Sequence, residues 1–132
     1  MKRRRLPPPS GKPRVDHSPE LFIDEQKGSF KTDHLRQIMW EHAGIIRDEK
    51  GLISGLDSVA RLSRELEPGD VTCHNMITLS QIVLKSALLR EESRGGHYRR
   101  DFPASSAAWA EKRILVRGGN SVESVATQSI GT

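Results

Sequence analysis

Apolar side chains recur at helical spacing in three separate segments, and no other feature constrains the fold as strongly. The segments run over residues 33–47, 52–66 and 75–94. In each of them an apolar residue returns every three or four positions, which puts one face of a helix against a core. The residues on these faces are Leu35, Ile38, Met39, Trp40, Ala43, Ile45, Ile46, Leu52, Leu56, Val59, Leu62, Leu66, Met76, Leu79, Ile82, Val83, Ala87 and Leu88. The sequence therefore predicts an all-α protein built as a three-helix antiparallel bundle.

Capping and breaking residues give these predicted helices their limits. Thr32 or Asp33 suits the N-cap of the first helix, because a side-chain oxygen there accepts from a free backbone N–H. Pro68 and Gly69 stop the second helix. Gly95 and Gly96 end the third, since glycine tolerates the left-handed conformation that follows a helix.

Both ends of the chain differ in composition from this predicted domain, which spans residues 21–103. Residues 1–20 are rich in proline and predict a basic, flexible linker. Residues 104–132 are rich in serine, threonine and glycine and predict a low-complexity, flexible tail, with at most a short ordered turn over residues 112–116. A bundle this small gains from a large partner surface, either a second copy of itself or another domain.

The positive charge of the chain is confined to its first residues. The 132 residues carry a formal net charge of +4, but residues 1–14 hold six basic side chains and no acid. The rest of the chain is slightly acidic, which argues against a uniformly basic nucleic-acid-binding domain. A solvated linker explains the basic arm better than polyanion binding does, and no apolar run is long enough to span a membrane. We expect neither nucleic acid nor membrane as a partner.

Motifs for catalysis and for cofactor or metal binding are missing from the sequence. The glycines do not have the spacing of a dinucleotide or nucleotide loop. The histidines and the single cysteine, Cys73, do not have the spacing of zinc ligands, and Cys73 has no second cysteine for a disulfide. His74 adjoins Cys73, yet sequence neighbours generally point in different directions, so a nucleophilic thiol is not expected. A lone cysteine fits a reducing, cytoplasmic location.

The densest polar stretch covers residues 89–103, where charged residues surround Gly95 and Gly96. The simpler interpretation is a surface helix end with scattered ion pairs. In the alternative, the forked guanidinium groups of Arg90 or Arg94 hold a carboxylate or several carbonyls and fix the bundle to another body.

This stretch, Arg90 to Pro103, reads REESRGGHYRRDFP and resembles a signature near the C-terminus of L-aspartate oxidases, with a similar one in succinate dehydrogenase and fumarate reductase flavoproteins. The segment from Leu35 to Arg47, LRQIMWEHAGIIR, is similar to the helix that opens the same domain, and Asn75 begins a segment like its third helix. The resemblance spans roughly residues 21–103, and no counterpart is recognised after Trp109. Gly96 departs from the family, which usually has a larger apolar residue there. The resemblance assigns a structural docking role to Trp40, Arg47, Asn75, Arg90, Glu91, Ser93, Arg94, His97, Tyr98 and Asp101, called the signature residues below.

The resemblance implies the C-terminal helical domain of an L-aspartate oxidase, an enzyme that uses FAD to oxidise L-aspartate to iminoaspartate in quinolinate and NAD synthesis. The family's flavin site and substrate-binding residues lie upstream of this domain, so no catalytic, cofactor-binding or metal-binding residue carries over. The expected partner is an FAD-binding domain, in cis or in trans, and the chain alone is expected to be inactive. The alternatives are a non-catalytic interaction bundle that binds a flavoprotein partner in trans or self-associates, and the equivalent part of a succinate dehydrogenase or fumarate reductase flavoprotein.

Overall fold

The three predicted helices form the body of the structure, a computed structural model that describes residues 30–118 and 121–126. Helix α1 spans Phe30–Ala43, α2 spans Glu49–Arg64 and α3 spans Val71–Leu89. Each of the three packs against the other two, so the predicted three-helix bundle is confirmed. The predicted linker over residues 1–20 lies outside the described residues.

Helices α2 and α3 begin earlier than predicted, because an aspartate acts as the N-cap of each. Asp48 accepts from the backbone N–H of Gly51 at 2.8 Å and begins α2. Asp70 accepts from the N–H of Cys73 at 3.0 Å and begins α3. The predicted N-cap of α1 is wrong, because Thr32 and Asp33 lie inside a helix that already includes Phe30.

The ends of α1 and α3 also come earlier than predicted. Helix α1 ends at Ala43, so Ile45 and Ile46 leave the apolar face that the pattern gave them and are exposed. Helix α3 ends at Leu89, because the backbone of Arg90 is extended, and the charged residues up to position 94 form a loop. Gly95 has the predicted left-handed conformation, with φ of 59°, but in a turn beyond the helix.

The core lies between the three helices and is almost wholly aliphatic. Its buried members are Leu35, Ile38, Ala43, Leu52, Val59, Leu62, Cys73, Ile77, Leu84 and Ala87. The helices approach closely at Gly55, where a Cβ atom would lie 2.7 Å from His42 Cβ and 3.0 Å from Leu84 Cδ2. Glycine is therefore required there by space, although it lowers helix propensity. Three apolar residues that the pattern assigned to the core, Trp40, Leu79 and Val83, are exposed.

Short strands accompany the bundle, and the fold prediction did not contain them. Strand β1, Ile46–Arg47, pairs in parallel with β2, Tyr98–Arg99. A helical turn, α4, spans Ala107–Ala110, and β3, Lys112–Arg117, pairs antiparallel with β4, Ser121–Ala126. Strand β4 contacts α3. Part of the predicted flexible tail therefore has regular structure. The β-branched residues on both sides of Gly118 and Gly119 are a hairpin signal that the serine and glycine content obscured.

Candidate functional site

Residues 90–106, called the polar loop, leave α3 and fold back over the ends of all three long helices. The loop is closed by its own backbone, since the N–H of Arg94 donates to the carbonyl of His97 at 2.8 Å and that of Ser93 to Ala104 at 3.1 Å. The Ser93 hydroxyl accepts from the N–H of Arg99 at 2.9 Å and donates to the carbonyl of Phe102 at 2.8 Å. The loop is thus held in one shape by short-range hydrogen bonds.

Glu92 is the centre of the first charged cluster, and its side chain is 0% exposed. Arg90 donates to Oε1 through Nε at 3.0 Å and Nη2 at 2.6 Å. Arg94 reaches Oε1 through Nε at 3.1 Å and Oε2 through Nη2 at 3.2 Å. The backbone N–H of Ser106 adds a bond to Oε2 at 2.8 Å. A buried carboxylate with this many donors is paired on both oxygens, which offsets the cost of removing it from water.

These donors keep Glu92 ionised. The hydrogen bond from Arg94, followed by those from Ser106 and Arg90, lowers the pKa of Glu92 from 4.5 to about 2 against the opposing effect of desolvation. The Arg90 guanidinium also lies 5.3 Å from the ring centroid of Trp109, and the Lys112 ammonium lies at the same distance. Trp109 is buried, so the cluster ties α4 to the polar loop.

Arg99 and Asp101 form a second cluster that joins α3 to α2. Arg99 is 1% exposed, and its guanidinium donates two hydrogen bonds to the Asp101 carboxylate. These run from Nε to Oδ1 at 2.8 Å and from Nη2 to Oδ2 at 2.6 Å. Its Nη1 donates to the carbonyls of Ala87 at 2.8 Å and Leu88 at 3.0 Å, the last turn of α3. Asp101 accepts from the N–H of Glu49 at 3.1 Å, at the start of α2. A cation therefore meets the negative end of one helix dipole, and an anion meets the positive end of another.

The second cluster shifts the pKa values of both partners in the direction that keeps the pair charged. The hydrogen bond from Arg99 lowers the pKa of Asp101 from 3.8 to about 2, against desolvation. The same bond raises the pKa of Arg99.

Arg47 and His97 form a third cluster at the end of α1. Arg47 Nε donates to the carbonyls of Ala43 at 3.1 Å and Gly44 at 3.0 Å, and Nη1 lies 2.9 Å from His97 Nδ1. Because a guanidinium only donates, Nδ1 accepts, and the proton of a neutral imidazole lies on Nε2. That atom lies 3.0 Å from the carbonyl of Arg90, to which it donates.

The neutral form of His97 is favoured by its surroundings. Burial lowers its pKa, and the positive charges of Arg47, Arg99 and Arg90 lower it further, while the bond to the Arg90 carbonyl partly opposes them. His97 therefore joins the ends of α1 and α3 as a neutral group among arginines.

Five of the signature residues meet in these clusters, Ser93 bonds to the backbone of the polar loop beside them, and four do neither. Arg47, Arg90, Ser93, Arg94, His97 and Asp101 form the hydrogen bonds described above. Trp40, Asn75, Glu91 and Tyr98 are exposed. The sequence interpretation missed the two most buried charges, Glu92 and Arg99. The spacing of the charges could have identified them. In an extended chain every second residue points to the same side, so residues 90, 92 and 94 share one side, as do residues 99 and 101.

The hydrogen bonds of the polar loop connect the ends of the three long helices, which is a structural role. In the described part of the chain, every buried side-chain nitrogen or oxygen has a hydrogen-bond partner, so none remains directed at a ligand. Residues 30–118 and 121–126 contain no group of three or more potential metal ligands. They also do not fit a flavin site, since neither short sheet leads through a glycine-rich turn into a helix that would receive a pyrophosphate. No helix among them is both long and apolar enough to cross a bilayer.

Comparison with known proteins connects this architecture to flavoproteins. Residues 32–129 match the family described as "Fumarate reductase flavoprotein C-term". The match extends past the domain limit that the resemblance suggested, residue 103, and includes α4 and both strands of the hairpin.

Relatives of the chain are much longer than the chain itself. L-aspartate oxidase from Pyrococcus furiosus is 42% identical over 104 residues, covering 79% of this chain and 20% of that protein. An uncharacterised FAD-dependent oxidoreductase from Methanocaldococcus jannaschii is 35% identical over 96 residues, covering 65% and 18%. The chain thus spans about a fifth of the length of these relatives.

Solved structures give the same result. Mycobacterium smegmatis Sdh1, in complex with UQ1, superposes with a TM-score of 0.57 at 35% sequence identity, covering 73% of this chain and 19% of Sdh1. With residues 32–129 matched, the chain belongs to the fumarate reductase flavoprotein C-terminal family, within the succinate dehydrogenase and fumarate reductase flavoprotein superfamily.

Proposed function

We propose that the chain is the C-terminal helical domain of an FAD-dependent L-aspartate oxidase, which packs on the FAD domain and stabilises it. The complete enzyme would oxidise L-aspartate to iminoaspartate for quinolinate and NAD synthesis, in the cytoplasm. This domain contributes no catalytic group, and the FAD and substrate sites belong to the rest of the enzyme.

The observation that carries the proposal is that the arginines in and beside the polar loop bond within the domain itself. Arg47, Arg90, Arg94 and Arg99 donate to carbonyls at helix ends and to the carboxylates of Glu92 and Asp101, which suits a domain with a structural role. The L-aspartate oxidase assignment is supported by the Pyrococcus furiosus relative, which is more identical in sequence than Sdh1 is.

A chimera tests the proposal. The segment of the Pyrococcus furiosus enzyme that matches residues 32–129 is replaced by those residues, and oxidation of L-aspartate is compared with that of the enzyme lacking the segment. We expect the chimera to oxidise L-aspartate, and the shortened enzyme to lose that activity. The isolated 132-residue chain, given FAD and L-aspartate, serves as the control and should produce neither flavin binding nor peroxide.

A succinate dehydrogenase or fumarate reductase flavoprotein is the second candidate, favoured by the family description and by Sdh1. A second chimera, in which residues 32–129 replace the matching segment of Sdh1, distinguishes the two candidate functions. Succinate oxidation restored in that chimera, with no L-aspartate oxidation in the first one, would favour the second candidate.

A further inference from the structure

The parallel pair of β1 and β2 separates a charged inner face from an apolar outer face. Its register places Ile46 beside Tyr98 and Arg47 beside Arg99. Neighbours in this register point to the same side of a sheet, and successive residues point to opposite sides. Arg99 is 1% exposed, whereas Ile46 is 54% and Tyr98 is 41% exposed, so the arginines face inward and the apolar side chains face out.

Ile45 lies in the bend just before β1, outside the alternation of the strand, and is itself 74% exposed. Adjacent large apolar side chains at such exposure are typical of a contact with another protein. Charged residues adjoin them, with Arg100 Nη1 lying 3.8 Å from Asp48 Oδ2, and an apolar centre with a polar rim is the usual composition of an interface. Ile45, Ile46 and Tyr98 are called the outer face below.

The outer face is held rigidly from behind. The N–H of Arg100 donates to the carbonyl of Arg47 at 2.7 Å, and the side chain of Arg47 is fixed by the last carbonyls of α1. Arg99 is fixed by α3 and Asp101. Little conformational entropy remains to be lost when this surface is covered.

We infer that the outer face is the contact through which this domain packs on the FAD domain. The inference rests on the proposed function and names the surface that serves it. The relatives carry about four-fifths of their length outside the matched segment, so a large body is available to cover the face. The outer face lies at the C-terminal end of α1, about 20 Å along the helix from Phe30.

The test uses the full 132-residue chain and the Pyrococcus furiosus enzyme without its matched segment as the probe. Binding is measured by titration calorimetry for the native chain, for Ile45→Asp and for Ile46→Asp. Val71→Asp is the matched control, since Val71 is 63% exposed. It lies at the other end of α3, about 24 Å along the helix from the carbonyls that Arg99 holds. Circular dichroism checks that each variant keeps its helices and that the shortened enzyme used for the titration is folded.

We expect each isoleucine variant to bind at least about tenfold more weakly, as for a central interface residue, and Val71→Asp to bind within about twofold of the native chain. Isoleucine variants that bind like the native chain, or an equal loss for Val71→Asp, overturn the outer face as the contact while leaving the proposed function in place. No binding by the native chain overturns both. A chain that sediments as a dimer and becomes monomeric on Ile46→Asp shows that a second copy covers the face, which also overturns the inference.

Discussion

At the scale of single residues, a few buried charges determine how the domain is held together. Glu92 and Arg99 are the most buried charged side chains in the described part of the chain. They were not predicted, because charged residues usually face solvent and a lone sequence cannot show which loop charge is covered. The resemblance did identify the neighbours that pair with them, since Arg90, Arg94 and Asp101 belong to the signature.

Arg99→Lys tests the fork of the second cluster. Lysine keeps the charge but cannot hold both oxygens of Asp101 and two carbonyls of α3 at once. We expect the free energy of unfolding to fall by about 2 kcal/mol, because hydrogen-bonding groups near the end of α3 lose their partner. Urea denaturation of Arg99→Lys beside Arg100→Lys measures it. Equal stability of the two variants would show that the fork is dispensable.

Acid should weaken the domain in two stages. His97 has a lowered pKa, so the unfolded chain binds a proton first, and stability begins to fall as the pH drops below about 6.5. Glu92 and Asp101 have pKa values of about 2 against 4.5 and 3.8, so their stabilisation is present above those ordinary values and is lost between about pH 5 and pH 2. Denaturation at stepped pH checks this, with Glu92→Gln losing part of the lower stage and Glu91→Gln losing none. A flat profile from pH 7 to pH 3 would contradict both assignments.

At the scale of elements, the periodicity of apolar residues predicted the three helices but not their limits. Asp48 and Asp70 are N-caps that lie four and six residues before the first predicted apolar residues, Leu52 and Met76. The end of α3 was predicted too late, because the charged residues 90–94 are compatible with a helix. The hydrogen bonds of the polar loop stabilise an extended backbone there instead. The hairpin was missed because its composition resembles that of a flexible tail.

Gly55 tests the packing between these helices. Alanine would raise helix propensity, but its Cβ would press on His42 of α1 and Leu84 of α3. We expect Gly55→Ala to lower the stability by about 1–3 kcal/mol, the usual cost of overpacking. Thermal unfolding compared with Ser54→Ala, an exposed site on the same helix, measures the effect. A stabilised Gly55→Ala would mean that the helices have room at this crossing.

At the scale of the whole molecule, the described chain is a braced bundle that presents apolar side chains outward. The charged groups of the three clusters pair with one another and with backbone groups of the domain. Trp40, Ile45 and Leu79 remain among the exposed large apolar residues. Sequence reasoning assigned Trp40 and Leu79 to the core, because periodicity identifies an apolar face but not the body that covers it. A domain that spans about a fifth of its relatives' length is expected to leave such faces for the remaining part.

Sedimentation velocity of the full chain mixed with the Pyrococcus furiosus enzyme that lacks its matched segment is the most direct test of the central claim. We expect one species whose mass is the sum of the two components, formed at micromolar concentration and absent when either component is run alone. Two independent boundaries at every mixing ratio would contradict a docking domain for a flavoprotein.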